Sequence, residues 1–413
     1  MHISKVFSAF WIFGLVNNLL YVVILSAAID LVGPTTPKAV VLMADILPSF
    51  LFKLSAPFYI QYVSYTFRIW ILLFLNSFGM LIISFGTGIS TRMLGIILAS
   101  FASGLGEITF LQMTHFYEEL SLHAWSSGTG GAGLVGAFMF MLMTTILGFS
   151  AKTTLLVLAV IPISIVLTYY FILPDYGKLG KPKVESEELE GLRSNARIEN
   201  VNHHEITHIN NESHALWYYC KRTIHRILPY AIPYMGPLYT VYMAEYMINQ
   251  GVSPTLLFPL KEMPFNHYRD AYVTYNTLYQ LGVFISRSSG TIVRIDHLYL
   301  PSILQALNLF LCIYQSISPW LPNVYAVLAL IFYEGLLGGT SYVNTYRSLT
   351  EHTGPTEREF AIGCVGMSDS AGVLTAALIS MLLEPSLCHY QAKNGETMVS
   401  NDLTLSYLYL CAY

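Results

Sequence analysis

Residues 7–29 read FSAFWIFGLVNNLLYVVILSAAI, an apolar stretch interrupted near its middle by Asn17 and Asn18. A membrane-spanning helix requires roughly 20 mostly apolar residues, and this stretch is long enough. The apolar part of a secretion signal is shorter, at roughly 7–15 residues. Only Lys5 supplies positive charge in front of the stretch. We therefore interpret it as a transmembrane helix that is retained in the protein.

The composition of the whole chain leads to the same conclusion. Of its 413 residues, 54% are hydrophobic and only 11% are charged, whereas a soluble domain carries about 25% charged residues. So few charges cannot cover a surface in water, so most of the surface must face lipid. The net charge of −4 excludes a basic protein that coats nucleic acid. We predict an all-α, multi-pass membrane protein, and an enzyme is the class expected least.

Further stretches of similar length and character follow the first one. Together they predict about eleven transmembrane helices, over 7–29, 39–60, 69–88, 91–114, 126–148, 152–173, 228–250, 271–287, 296–317, 321–342 and 361–383. They form a six-helix first half (1–173) and a five-helix second half (228–383), with a polar loop (174–227) between them and a tail (384–413) after them. Lysine and arginine are concentrated in the loop, which predicts a cytosolic loop and N-terminus and a tail on the lumenal side.

The two halves look like copies of one another. Asn18 is separated from Glu245 by the same number of residues that separates Glu107 from Glu334. The same offset carries the first four spans onto the seventh to tenth. The partner of the sixth span, around 387–408, is too polar to cross a membrane. Two parallel six-helix repeats are the arrangement of major-facilitator transporters, here with the last helix lost or degenerate.

Polar side chains inside the predicted spans are the candidate functional residues. A charge at the centre of a membrane helix costs roughly 2.5–3.5 kcal/mol. In the facilitator arrangement the first, fourth, seventh and tenth spans line the central cavity. The candidates for a solute or proton pathway are Asn17, Asn18, Tyr21, Glu107, Tyr242, Glu245, Asn249, Arg287, Glu334 and Asp369. Tyr242, Glu245 and Asn249 form one helical stripe. Structural hydrogen bonds between helices are the alternative role.

Small residues recur every fourth position on two of the spans. These stripes comprise Gly128, Ala132 and Gly136, and Ser368, Gly372 and Ala376. Such spacing lets helix backbones approach closely in lipid, so we predict helix packing there. The run GTGGAG at 128–133 lacks the lysine of a phosphate-binding loop, which argues against a nucleotide site.

The polar loop contains a sequence that imitates a metal site. His204-Glu205-Ile206-Thr207-His208 matches the H-E-x-x-H pattern of zinc proteases, which requires a helix and a third ligand. The neighbouring asparagines disfavour a helix, so we interpret the segment as a solvated linker. We predict no metal and no cofactor, and the loop remains the candidate surface for protein partners.

Several long blocks resemble the battenin family, which comprises lysosomal proteins of animals and vacuolar proteins of fungi. The blocks are FWIFGLVNNLLYVVILSAAIDLVG (10–33), GLGEITFLQMTHFY (104–117), WSSGTGGAG (125–133), YMAEYMINQG (242–251), YQLGVFISRSSG (279–290) and YEGLLGGTSYVNTY (333–346). The resemblance extends from about residue 7 to 383. It implies a facilitator-like fold in the vacuolar or lysosomal membrane. It also implies that Glu245 and Arg287 are functionally important.

Three functions remain open at this stage. The resemblance implies a role in vacuolar pH homeostasis and arginine transport in fungi, and the clearance of glycerophosphodiesters in animals. Carboxylates in a cavity suit a cation such as arginine, whereas a phosphodiester needs cations, for which Lys53 and Arg287 are the obvious candidates. Protons are the expected coupled ion, because burial favours the neutral form of a carboxyl group. The third possibility is a regulator of the proton pump or of trafficking that transports nothing.

Overall fold

The structure is a computed structural model that describes residues 2–27, 31, 39–117, 119–174, 212–259, 262–264 and 268–395. Within these residues all regular secondary structure is helical. Most of the predicted loop, including the motif His204–His208, lies outside the described residues, and so does the tail beyond Gly395.

The helices are numbered in chain order. They are α1 (His2–Ser26), α2 (Ala39–Ser55), α3 (Tyr65–Phe85), α4 (Ile89–Met113), α5 (Glu119–Met141), α6 (Ala151–Leu158), α7 (Ile163–Leu167), α8 (Glu212–Tyr230), α9 (Gly236–Met247), α10 (Tyr268–Ser288), α11 (Tyr299–Ile317), α12 (Val324–His352), α13 (Pro355–Val365) and α14 (Ser368–Gly395). Short π-helical segments precede and follow α9, at Ala231–Met235 and Ile248–Val252. The predicted sixth span is divided into α6 and α7, and α14 continues well past the predicted end of the eleventh.

Eight helices of the described residues are long and apolar enough to cross a membrane. The three other predicted spans coincide with α2, α9 and α10. Helix α2 has 17 residues, which is below the roughly 20 that a span requires. Helix α9 has 12 residues and is extended by π-helical segments on both sides. Helix α10 has 21 residues but carries many polar side chains. The same polar helices, as shown below, supply much of the site between the halves.

The helices pair in the same way in both halves of the chain. In the first half α1 packs on α5 and α2 packs on α4, and in the second half α9 packs on α14 and α10 packs on α12. Helix α5 contacts α10 across the interface, and α2 contacts α14 in the corresponding manner. This correspondence matches the predicted repeat. It also makes α2, α5, α10 and α14 the helices that join the two halves.

The molecule exposes many large apolar side chains and buries several charged ones. Large apolar residues such as Phe171, Ile232 and Leu382 are at least three-quarters exposed, as lipid-facing residues should be. Conversely, Lys53 and Glu334 are almost fully buried. Burying a charged group costs free energy unless it is paired, and such groups inside a membrane protein commonly mark a functional site. The buried charges therefore indicate a site in the interior.

Glycines bring two helix pairs into close contact. On α5, a Cβ atom at Gly128 would overlap the carbonyl oxygen of Trp11 on α1, and one at Gly14 would lie 2.5 Å from the carbonyl oxygen of Trp125. In the second half, a Cβ atom at Gly372 would lie 2.6 Å from the carbonyl oxygen of Tyr239 on α9. The small-residue stripes of the sequence therefore lie where α5 meets α1 and where α14 meets α9.

Candidate functional site

A cavity of about 130 Å³ lies between the two halves. Its polar lining comes from α1, α2, α4 and α5 on one side and from α9, α10, α12 and α14 on the other. The lining residues are Asn18, Tyr21, Asp45, Ile46, Ser49, Lys53, Ser103, Glu107, Thr129, Tyr242, Tyr246, Arg287, Tyr342, Asp369, Ser370 and Val373. A ligand bound here would touch both halves at once.

Lys53 on α2 forms ion pairs with two acidic groups of this cavity. Its Nζ atom lies 2.5 Å from Oε2 of Glu107 on α4 and 3.4 Å from Oδ1 of Asp369 on α14. It also donates a hydrogen bond of 2.8 Å to Oγ of Ser370. Lys53 is 2% exposed. The lysine is therefore a buried cation that joins the two halves, and its positive charge is already compensated.

Arg287 on α10 has different partners. Its guanidinium donates to Oγ1 of Thr129 at 2.6 Å and to the hydroxyl of Tyr242 at 2.7 Å. The guanidinium carbon lies 4.4 Å from the centre of the Tyr342 ring, an arrangement that stabilises a cation. Its Nε atom is buried without a hydrogen-bond partner. Among the described residues Arg287 forms no ion pair, so its charge is available to an anionic ligand.

Asp45 on α2 is the complementary case. It is 4% exposed, and its Oδ2 atom has no hydrogen-bond partner among the described residues. Tyr21 of α1 interacts with both Asp45 and Tyr246 of the other half. The cavity thus contains one cation and one carboxylate that form no ion pair among the described residues, on opposite halves of the molecule.

Glu245 and Glu334 lie beside the cavity but do not line it. The hydroxyl of Tyr279 on α10 donates to Oε1 of Glu245. The side-chain amide of Asn249 donates to Oε1 of Glu334 at 2.9 Å. Glu245 is 3% exposed and Glu334 is fully buried. They form a second acidic cluster inside the C-terminal half. Gly338 of α12 lies against this cluster, and a Cβ atom at that position would overlap Oε2 of Glu245.

The structure places the predicted pathway residues in three different environments. Asn18, Tyr21, Glu107, Tyr242, Arg287 and Asp369 line the cavity. Asn17 instead packs between α1 and α4, where its amide donates to the carbonyl oxygen of Ser103 at 3.2 Å. Glu245, Asn249 and Glu334 belong to the second cluster. The stripe predicted for Tyr242, Glu245 and Asn249 is therefore split between two environments.

Sequence reasoning did not select several lining residues as pathway candidates. Asp45 carries a detectable signal, because it is an acidic residue inside the apolar stretch 39–60. Lys53 was considered only as a source of positive charge. Thr129, Tyr246 and Tyr342 carry no such signal, since hydroxyl residues are common in membrane helices.

The two halves also contact one another where α3 and α4 meet α13. The hydroxyl of Tyr65 on α3 donates to Oε1 of Glu359 on α13 at 2.6 Å. The side-chain amide of Gln112 on α4 donates a hydrogen bond of 3.3 Å to the backbone carbonyl oxygen of Glu359. Its side-chain oxygen accepts a hydrogen bond of 2.8 Å from the buried Arg68. Arg68 also binds two backbone carbonyl groups. These contacts lie near the start of α3, on the side of the molecule that the charge pattern predicts to be cytosolic.

The described residues contain no group of three or more His, Cys, Asp and Glu side chains that could hold a metal ion. What the cavity offers instead is binding chemistry. A guanidinium forms strong paired hydrogen bonds with a carboxylate or phosphate, and a carboxylate accepts hydrogen bonds from an ammonium or guanidinium group. The arrangement is suited to recognising a charged solute.

Comparisons with known proteins agree with this geometry. The sequence matches the family described as CLN3 protein over residues 8–390. It is 55% identical over 394 residues to Protein BTN1 of Yarrowia lipolytica, covering 94% of this chain and 96% of the relative. For Protein BTN1 of Candida albicans the values are 51% over 412 residues, with 95% and 96% coverage. For that of Saccharomyces cerevisiae they are 46% over 411 residues, with 94% and 96% coverage.

Solved structures of membrane transporters share the fold. A bacterial homologue of the iron transporter ferroportin, in an outward-facing state, superposes with a TM-score of 0.60 at 13% identity, over 100% of this chain and 96% of that one. FucP, a major facilitator superfamily transporter in the outward conformation, gives 0.54 at 12% identity, over 94% and 97%. The predicted all-helical, facilitator-like fold is confirmed. At these identities the likeness concerns the fold alone.

Proposed function

The chain belongs to the CLN3 protein family, as the resemblance to battenin predicted, and from this premise we propose that it carries a small charged solute across a vacuolar or lysosomal membrane. It does so by alternating access, in which the two halves rock around a central site. The observation that carries the proposal is Arg287. It lies in a cavity formed by both halves, bound to hydroxyl groups rather than to a carboxylate.

Arginine is the leading solute. Its carboxylate suits the guanidinium of Arg287, and its own cationic groups suit Asp45, whose Oδ2 atom has no partner. Protons exchanged during transport would connect this activity to vacuolar pH. In this proposal the N-terminus and the loop 174–227 lie in the cytosol.

A glycerophosphodiester is the second candidate solute. Its phosphate group would also bind Arg287, because guanidinium recognises phosphate as readily as carboxylate. Such a solute needs no contact with Asp45 unless its head group is cationic. Asp45 is therefore the residue that discriminates between the two solutes.

The test is flux into proteoliposomes that contain only this protein, with labelled arginine and labelled glycerophosphoglycerol measured in parallel. We expect saturable uptake that Arg287→Gln abolishes and that Arg294→Gln, a loss of charge at an exposed position, leaves intact. Asp45→Asn should then lower arginine uptake at least tenfold and spare glycerophosphoglycerol, if arginine is the solute.

The absence of flux for both solutes, with correctly folded protein, would reject the transport proposal. It would favour a regulator of the proton pump or of trafficking that acts through the cytosolic loop. Deleting 183–215 separates these classes, because a transporter should keep its flux without the loop and a loop-docked regulator should lose its effect on vacuolar pH.

A further inference from the structure

Glu245 and Glu334 form a buried acidic pair that solute binding does not use. Neither lines the cavity, and both are more than nine-tenths buried. Each carboxyl group has one oxygen bound, by the hydroxyl of Tyr279 and by the amide of Asn249 respectively. The remaining oxygen of each group, Oε2, is buried and has no hydrogen-bond partner in the described part of the chain.

The charges around this pair are few. Glu245 and Glu334 interact unfavourably with one another. The titratable groups that interact with either of them are Tyr242 and Tyr246 of α9, Tyr279 and Arg287 of α10, and Cys312 of α11. Arg287 is the only cation in this set, it interacts with Glu245, and it forms no ion pair with either glutamate within the described residues.

Two neighbouring carboxylates in a buried site cannot both be ionised at low cost, because each charge is desolvated and repels the other. Such a pair retains a proton or takes up a cation. Oε2 of Glu245 lies so close to α12 that Gly338 has no room for a Cβ atom. A metal cation needs space for several oxygen ligands, whereas a proton needs none, so the packing favours a proton.

We propose that Glu245 and Glu334 are the proton-binding pair that couples solute movement to the pH difference across the membrane. The step is a simple protonation, in which a proton from the aqueous side converts one carboxylate to the neutral acid. The inference rests on the transport function proposed above. It goes further by assigning the coupled ion to a site separate from the solute.

Arg287 provides the physical connection between the two sites. It lines the solute cavity and also interacts with Glu245. When Glu245 gains a proton, Arg287 loses a nearby negative charge and attracts an anionic group of the solute more strongly. By linkage, solute binding then favours proton binding to the same degree. The expected result is movement of proton and solute in the same direction.

The experiment separates exchange from accumulation in proteoliposomes. Counterflow of labelled arginine, and in parallel of labelled glycerophosphoglycerol, is measured at equal pH on both sides. Accumulation is measured under an imposed gradient of one pH unit, which at one proton per solute supports about a tenfold concentration ratio. We expect the wild type to perform both. Glu245→Gln and Glu334→Gln should keep counterflow and lose accumulation, whereas the exposed control Glu262→Gln keeps both.

The outcomes distinguish failure of the transport function from failure of the proton pair. No counterflow of either solute in the wild type overturns the transport function and, with it, this inference. Counterflow in the wild type with undiminished accumulation in both glutamine variants overturns the proton pair alone. Accumulation that follows a sodium gradient instead of the pH gradient does the same. A pH indicator trapped in wild-type vesicles gives a test free of variants, since solute entry must acidify the lumen.

Discussion

Replacing Lys53 with methionine should lower the free energy of unfolding, by an amount that can be estimated from the ion pairs of Lys53. The substitution keeps the length of the side chain and removes a charge that is 2% exposed. It leaves Glu107 and Asp369, which now lie 2.5 and 3.4 Å from the ammonium group, without their shared cation. Removing one partner of a buried ion pair costs about 3–5 kcal/mol, mostly because the remaining charge stays buried.

This energy translates into a measurable change in Tm. For 413 residues, an unfolding entropy of about 2.1 cal/mol/K per residue gives about 0.9 kcal/mol per degree, so Tm should fall by about 3–6 °C. The assay is thermal unfolding of the purified protein in detergent, with the exposed Lys393→Met as control. The triple variant Lys53→Met, Glu107→Gln, Asp369→Asn has no unpaired charge and should recover most of the loss. A triple variant as unstable as the single one would refute the electrostatic explanation.

Two further predictions test the packing of α1 on α5 and the hydrogen bond between α3 and α13. Gly128→Ala should lower Tm by several degrees, because its Cβ atom would overlap a backbone carbonyl group of α1, whereas Gly88→Ala, with no atom within 4 Å, should change it by less than a degree; equal shifts would contradict the close contact of α1 and α5. Tyr65→Phe removes the 2.6 Å hydrogen bond to Glu359, worth about 1.5–3 kcal/mol for a charged acceptor. If this bond restricts access to the cavity, its loss should raise at least tenfold the rate at which a thiol reagent, added on the side where α3 begins, modifies Ser49→Cys in the cavity. An unchanged rate would show that this bond does not restrict access from that side.

The all-helical class of the fold and the positions of most membrane helices could be predicted from the sequence. Lipid imposes a length and an apolar character on each span, and both are visible in stretches such as 7–29 and 296–317. The repeat was also detectable, because the number of residues between Asn18 and Glu245 equals the number between Glu107 and Glu334. The pattern did not predict breaks within the spans. One span is divided into α6 and α7, and π-helical segments lie on both sides of α9.

The site itself was harder to predict, because periodicity on one helix does not reveal how that helix is rotated in the bundle. Residues on a helix advance by about 100° each, so Tyr242 and Tyr246 share one direction while Glu245 and Asn249 share another. The sequence placed Tyr242, Glu245 and Asn249 on one stripe. In the structure Tyr242 and Tyr246 face the cavity, and Glu245 and Asn249 face the neighbouring helices.

The sequence by itself was enough to infer that this protein lies in a membrane, that it consists of two related halves, and which family it resembles. These properties depend on composition and on local length, which each segment carries independently of its neighbours. Only the tertiary structure decided which buried charges compensate one another. Lys53 meets Asp369 although the two are far apart in the chain. Arg287 is left with hydroxyl partners, because no carboxylate of the described residues lies at bonding distance from it.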